Sequence, residues 1–196
     1  MITLSRLNLR VSAVAVAASA AWVLQGLTSL ALPDPTAMLD ITMTVPILLT
    51  MAGIWLLRRK GVFGNGVLSQ VVSGLCAVAA VLAIPGQLAF AFDWDGFGTI
   101  VEIVETVAFI GALVVAGVAL LRTHILPRWM GVALIVAQPL AIVLGIVFSP
   151  ISPLADSGDY TGALGHGIVW GLIAAALLGK RIPYLKEVPR PLLTTA

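Results

Sequence analysis

The chain has 196 residues, 60% of them hydrophobic and 10% charged, and a mean hydropathy of +1.08, whereas soluble domains carry roughly 25% charged residues. A water-soluble globule is excluded, and the length leaves room for one compact bundle of membrane spans, a single domain over residues 1–196, with no soluble domain of any size. The formal charge of +2 does not point to nucleic acid, because the basic residues sit beside span ends, where anionic lipid headgroups meet them.

The charges alternate in sign along the chain. All eleven Lys and Arg fall into four short segments: Arg6 and Arg10; Arg58, Arg59 and Lys60; Arg122 and Arg128; Lys180, Arg181, Lys186 and Arg190. Eight of the nine acidic residues lie outside them, in segments holding Asp34 and Asp40; Asp93, Asp95, Glu102 and Glu105; Asp156 and Asp159. Cytoplasmic loops collect Lys and Arg, so the basic segments are assigned to the cytoplasmic side of a bacterial inner membrane and the acidic ones to the outer side. The expected arrangement is an even number of crossings with both termini inside. The apolar runs show no alternation of apolar and polar residues, so a β-barrel is excluded and an all-α bundle of six transmembrane helices is expected.

In chain order, the first span is expected over 11–32, a run of about 22 residues that suffices for a hydrocarbon core about 30 Å thick. Ala18-Ser19-Ala20 imitates a signal-peptidase site, but the run exceeds a signal core, and a retained span is expected. Pro33-Asp34-Pro35 breaks the helix outside. The second span, 41–57, contains Pro46 and is stopped by Arg58-Arg59-Lys60, with Gly61, Gly64 and Gly66 making an inner turn. The third, 67–92, carries Pro85-Gly86 near its outer end, where a kink or early termination is expected. A compact outer turn over 93–98 places Trp94 and Phe97 at interfacial depth. The fourth span covers 99–121 and the fifth 129–148, with Gln138-Pro139 near its middle. An outer loop leads to the sixth, 160–178, and residues 180–196 read as a polar, proline-punctuated cytoplasmic tail. Spans two and five each hold a proline and would correspond in a three-plus-three inverted repeat, a symmetry common in transporters.

Polar residues inside the spans need an explanation. An acidic side chain at mid-membrane costs roughly 2.5 to 3.5 kcal/mol, less near a helix end. Glu102 and Glu105 are three apart and share one helix face, Glu105 about a turn deeper, so the pair is expected to share a proton, a cation or a basic partner. The alternative is that both face outer water at a frayed helix start, where negative charge suits the helix dipole. His166, flanked by Gly165 and Gly167, lies at a depth that matches Glu105. A lone His in a bundle is more often a satisfied interhelical hydrogen bonder than a ligand. Gln25, Gln87 and Gln138 project from other spans, and Trp170, four residues after His166, stands on the same face. Together these residues suggest a polar pocket that opens outward, rimmed by Asp93, Asp95, Asp156 and Asp159. Ala13, Ala17, Ala20, Gly111 and Gly117 suit close helix packing, or a face for a second copy or a partner subunit.

Several chemistries are excluded. His124 and His166 lie at opposite ends of the membrane and cannot be the two axial ligands of one haem. The single Cys76 supplies no disulfide or thiol pair, and one deep His without a nearby Cys makes no closed zinc site, so no metal and no cofactor are expected, with a carboxylate-rich site for a divalent cation as the open alternative. There is no glycine-rich phosphate loop and no nucleophile elbow.

Leu126-Pro127-Arg128-Trp129-Met130-Gly131, opening the fifth span, resembles a phrase common in small, uncharacterised multi-pass membrane proteins of actinobacterial type; it covers six residues and implies no activity. The six spans, internal termini, outward Glu/His/Trp pocket and Ala13-x-x-x-Ala17 pattern are similar in architecture to substrate-binding subunits of energy-coupling-factor importers. The first outer loop here is shorter than that family's lid, and no binding residues carry over.

Three functions fit the pattern. The first is a transport or binding subunit that takes a cationic or weakly basic solute into a pocket of Glu102, Glu105 and His166, where an acidic vestibule concentrates cations and a protonatable pair can couple binding to pH. The second is an intramembrane isomerase or cyclase acting on a lipid or terpenoid, with Glu105 as general acid, His166 or Glu102 as base and Trp170 or nearby Phe residues shielding a carbocation. The third is a structural or assembly subunit whose polar residues satisfy one another. Each implies membrane lipid as solvent and a small molecule, a lipid or a partner subunit as the contact.

Overall fold

In the computed structural model, which describes residues 2–31, 36–148 and 162–179, the chain forms six helices. They are α1 (Ile2–Ala31), α2 (Thr36–Arg59), α3 (Val67–Ala91), α4 (Phe97–Thr123), α5 (Arg128–Phe148) and α6 (Ala163–Gly179). Five are long and apolar enough to cross a membrane, and α6 is a shorter apolar helix. Both faces of the helices are apolar. Leu24, Leu27, Val81, Ile84, Val107 and Ile146 point outward and stay exposed, as expected where the solvent is hydrocarbon and not water.

Each helix packs on the next, and α6 returns to α1, so the six close into a ring. Neighbours run antiparallel: Trp22 of α1 bonds Thr50 of α2, Arg58 of α2 bonds the Ser69 carbonyl of α3, and Ser19 of α1 bonds the Gly167 carbonyl of α6. Small residues permit the close approach. A Cβ added at Gly117 would stand 2.6 Å from the Gly131 carbonyl, and one at Gly131 would stand 2.7 Å from that of Gly117, so α4 and α5 touch backbone to backbone. Buried alanines, among them Ala15, Ala79, Ala83, Ala112 and Ala116, fill the interior together with Met51, Ile54, Leu113 and Leu134.

One end of the ring carries Arg58, Arg59, Lys60, Arg122 and Arg128, and the other Asp40, Asp93, Asp95 and Glu102. At the basic end, the turn after α2 uses Gly61 at φ +71 and Gly64 at φ +68, backbone conformations that side chains disfavour. It tucks Val62 and Phe63 into the core, and Thr123 donates to the Val62 carbonyl at 2.8 Å. At the acidic end, α3 finishes in a Schellman cap: Asp93 is left-handed at φ 47, and the Trp94 N–H reaches the Ala89 carbonyl at 2.9 Å.

The helices depart from the sequence expectation at three places. α2 begins at Thr36 and not at residue 41, so Asp40 is a helical residue. The apolar window had excluded it, although a helix can begin before its apolar stretch. α3 does not terminate at Pro85-Gly86 but runs through to Ala91; prolines are tolerated in membrane helices where neighbours accommodate the freed carbonyl. α6 begins at Ala163, which puts His166 in its first turn. The expected outer residues Asp34, Asp156 and Asp159 and the tail 180–196 lie outside the described residues.

The Gly117–Gly131 contact allows a paired test. Gly117→Leu overpacks this crossing and is expected to cost about 1 to 3 kcal/mol, read as a lowered midpoint in thermal or denaturant unfolding. At Gly74 a Cβ meets nothing within 4 Å, and Gly74→Ala should leave the midpoint unchanged or raise it.

Candidate functional site

The ring is open inside at its acidic end, where a cavity of about 610 Å³ takes lining residues from all six helices. Trp22 comes from α1; Asp40, Met43 and Ile47 from α2; and Gln87 and Ala91 from α3. Glu102, Glu105, Thr106, Phe109 and Ile110 come from α4, Gln138 and Ala141 from α5, and Ala163 and His166 from α6. Asp93 and Gly162 stand just beyond the helix ends. Among the described residues, no Lys or Arg lines it.

Local sequence explains how each polar side chain arrives there. Glu102, Glu105 and Phe109 recur at helical spacing and so share the inward face of α4. Gly86 of α3 leaves room for Glu105, since a Cβ at Gly86 would stand 3.3 Å from both Cβ and Cγ of that side chain. The next residue along α3, Gln87, brings its side-chain amide toward the Glu105 carboxyl. Glu105 is 2% exposed, and its Oε1 has no hydrogen-bond partner.

His166 owes its position to the glycines on either side. A Cβ at Gly165 would meet the Ala141 backbone of α5 at 2.7 Å, and one at Gly167 would meet Val23 of α1 at 2.6 Å. The start of α6 is thereby wedged between α5 and α1 with the imidazole turned to the cavity. The ring is 3% exposed, stacks on Trp22 at 4.6 Å between centroids and meets Phe109 edge-on at 5.5 Å. His166 Nε2 lies 3.0 Å from Gln138 Oε1. An amide oxygen only accepts, so Nε2 carries the proton, and in the neutral ring Nδ1 is an acceptor. That Nδ1 is buried without a partner. Trp22 is held in turn, its Nε1 donating to Thr50 Oγ1 at 2.8 Å.

The cavity therefore brings together Glu102, Glu105, His166, Gln87, Gln138 and Asp93. Three of the residues expected there lie elsewhere. Gln25 is turned to α2, its Nε2 donating to the Leu39 carbonyl at 2.6 Å while its Oε1 accepts from Thr42 at 3.0 Å. Asp95 borders a separate, smaller surface pocket with Trp94 and Thr99. Trp170 is buried against α2, where a Cβ at Gly53 would stand 2.9 Å from its ring, and its Nε1 has no partner. Although four residues from His166 on the same helix, it faces a different neighbour. Asp40, Trp22 and Phe109 are the additions. Asp40 was legible once α2 is extended back to Thr36, because Asp40, Met43 and Ile47 then fall on one face.

Among the described residues, no group of three or more His, Cys, Asp or Glu is arranged to hold a metal ion. Comparison with family models, with curated proteins and with solved structures finds no match to this chain.

The His166–Gln138 bond yields a double-mutant test. Gln138→Leu strands a buried N–H and is expected to cost about 1 to 3 kcal/mol in unfolding free energy. Adding His166→Phe should recover much of that loss, because no unsatisfied donor remains. Equal, additive losses from the two substitutions would mean that the contact contributes nothing.

Proposed function

We propose that the chain is a small integral-membrane binding or transport subunit whose acidic-end cavity takes a cationic or weakly basic solute from the outer face of a bacterial inner membrane. Both termini and the basic end lie on the cytoplasmic side, with α6 as the sixth crossing. The observation that carries this reading is Glu105: a carboxyl 2% exposed, with one oxygen unpartnered, on the wall of a cavity large enough for a small organic molecule.

The surrounding charge favours a cation. Asp40, Asp93 and Glu102 line the same space, which no described Lys or Arg lines, and a concave site with walls of one sign concentrates counter-ions. Val62 and Phe63 sit in the core at the opposite end, a construction that suits a pocket better than a channel.

Two measurements test the reading. In thermal unfolding against a panel of amines, inorganic cations and vitamins, a bound solute at 100 times its Kd should add about 2.7 kcal/mol of stability, and Glu105→Gln should lose that response. A melting point blind to the whole panel would sink the proposal. For orientation, alkaline phosphatase inserted after Asp95 should be active, and a green fluorescent protein fused behind Ala196 should fluoresce; the converse pattern reverses the topology.

A further inference from the structure

The cavity has an excess of acceptors. Glu105 Oε1 and His166 Nδ1 are both buried without partners, and the other titratable groups on its wall are the carboxyls of Asp40, Asp93 and Glu102. The Gln87 amide stands toward the Glu105 carboxyl, and the packing of Gly86 against Cβ and Cγ leaves that side chain little room to turn toward another donor. A buried acceptor left unmade is costly, so an occupant that carries N–H groups gains more here than one that carries charge alone.

The remaining wall is apolar and aromatic. Met43, Ile47, Ile110 and Ala141 line it together with Trp22 and Phe109. The indole of Trp22 is fixed by its bond to Thr50, and one of its faces is already covered by the His166 ring. Phe109 lies tilted to Trp22 at 5.9 Å between centroids. The two rings thus offer a slab for a flat or aliphatic body and not an open box of aromatic faces around a quaternary ammonium. A volume near 610 Å³ exceeds what a bare ion or a methylammonium would fill.

We infer that the solute is an amphipathic amine: its N–H-bearing cationic head bonds Glu105, and its apolar body lies against Trp22, Phe109 and Ile47. This rests on the solute-binding reading above and narrows it to one chemical class. Tetraalkylammonium ions and inorganic cations are thereby disfavoured, the first for want of a donor and the second for want of a body.

The experiment uses the full chain in lipid nanodiscs, with empty nanodiscs subtracted for partitioning. The probes are 2-phenylethylamine, tryptamine and octylamine, the N-trimethyl derivative of each, 2-phenylethanol, methylammonium and magnesium, and the readouts are calorimetric affinity and tryptophan fluorescence. At least one amine should bind tenfold or more tighter than its trimethylated form, and likewise tighter than the alcohol and methylammonium. Glu105→Gln should bring amine and alcohol to similar affinity. Trimethylated and free amines binding alike, or magnesium or methylammonium binding tighter than any amphipathic amine, would overturn the inference while leaving a cation pocket standing. If no probe binds, the inference also fails, and the wider panel of amines, cations and vitamins then decides the solute-binding reading separately.

Discussion

Closure of the ring between the last helix and the first is the constraint on which the interior depends. α6 reaches both of its neighbours only because side chains are missing where it meets them: Gly26 makes room for Leu164, Gly165 lies against the Ala141 backbone, and Gly167 lies against Val23. Ser19 then donates to the Gly167 carbonyl at 2.8 Å. In lipid there is no hydrophobic force between helices, so dispersion at such close contacts and the occasional hydrogen bond must hold them together. An open array of six helices would have no enclosed space; the closed ring has one, and the wedge that closes it also carries His166.

Polar groups within the bundle divide into satisfied and unsatisfied sets, and the division has a spatial logic. Along α1 and α2 they answer one another: Trp22 with Thr50, Gln25 with Leu39 and Thr42, Ser29 with the Gly26 carbonyl. The Trp22 and Gln25 bonds act as a clamp between two adjacent helices, each stabilising by a modest amount, whereas the Ser29 bond closes within α1. Among the described residues, the unsatisfied buried side-chain atoms are Glu105 Oε1, His166 Nδ1 and Trp170 Nε1. Two of the three belong to side chains lining the cavity, and we read their unmet capacity as reserved for an occupant. Trp170 is different, for it is packed away from the cavity against Gly53.

The number, order and composition of the helices were legible because lipid imposes them: long apolar runs, punctuated by Pro33-Asp34-Pro35, Arg58-Arg59-Lys60 and the glycine turn behind it, can do little but form helices. Helix ends were less legible, since an apolar window measures hydrocarbon contact and a helix continues past it. That is why Asp40 was read as an outer-segment residue and lies instead on the cavity wall. Rotation about the helix axis was the least legible. Helices that are apolar all round have no moment to announce an inward face, and the orientation is decided by steric detail such as Gly53 against Trp170 or Gly86 against Glu105. Glu102 and Glu105 could be placed on one face by spacing alone. Trp22 and Phe109 could not be told from other aromatic residues until His166 was seen packed against both.

The closed basic end bears on what the molecule can do by itself. Opening that end by withdrawing Val62 and Phe63 from the core would also break the bonds from Thr123 to the Val62 carbonyl and from Arg58 to the Ser69 carbonyl. Exposing two such side chains and breaking two hydrogen bonds costs on the order of 5 kcal/mol. Shifting a two-state equilibrium from one extreme to the other needs a ligand that discriminates between the states by about 5.5 kcal/mol, so an unaided passage would require the solute to favour the opened form by about two-thirds of a micromolar binding energy, which is about 8 kcal/mol. A pocket that spent so much on opening would hold its solute weakly. On the solute-binding reading proposed above, the geometry is better matched to capture on the acidic side, with any passage driven by energy supplied from outside this chain.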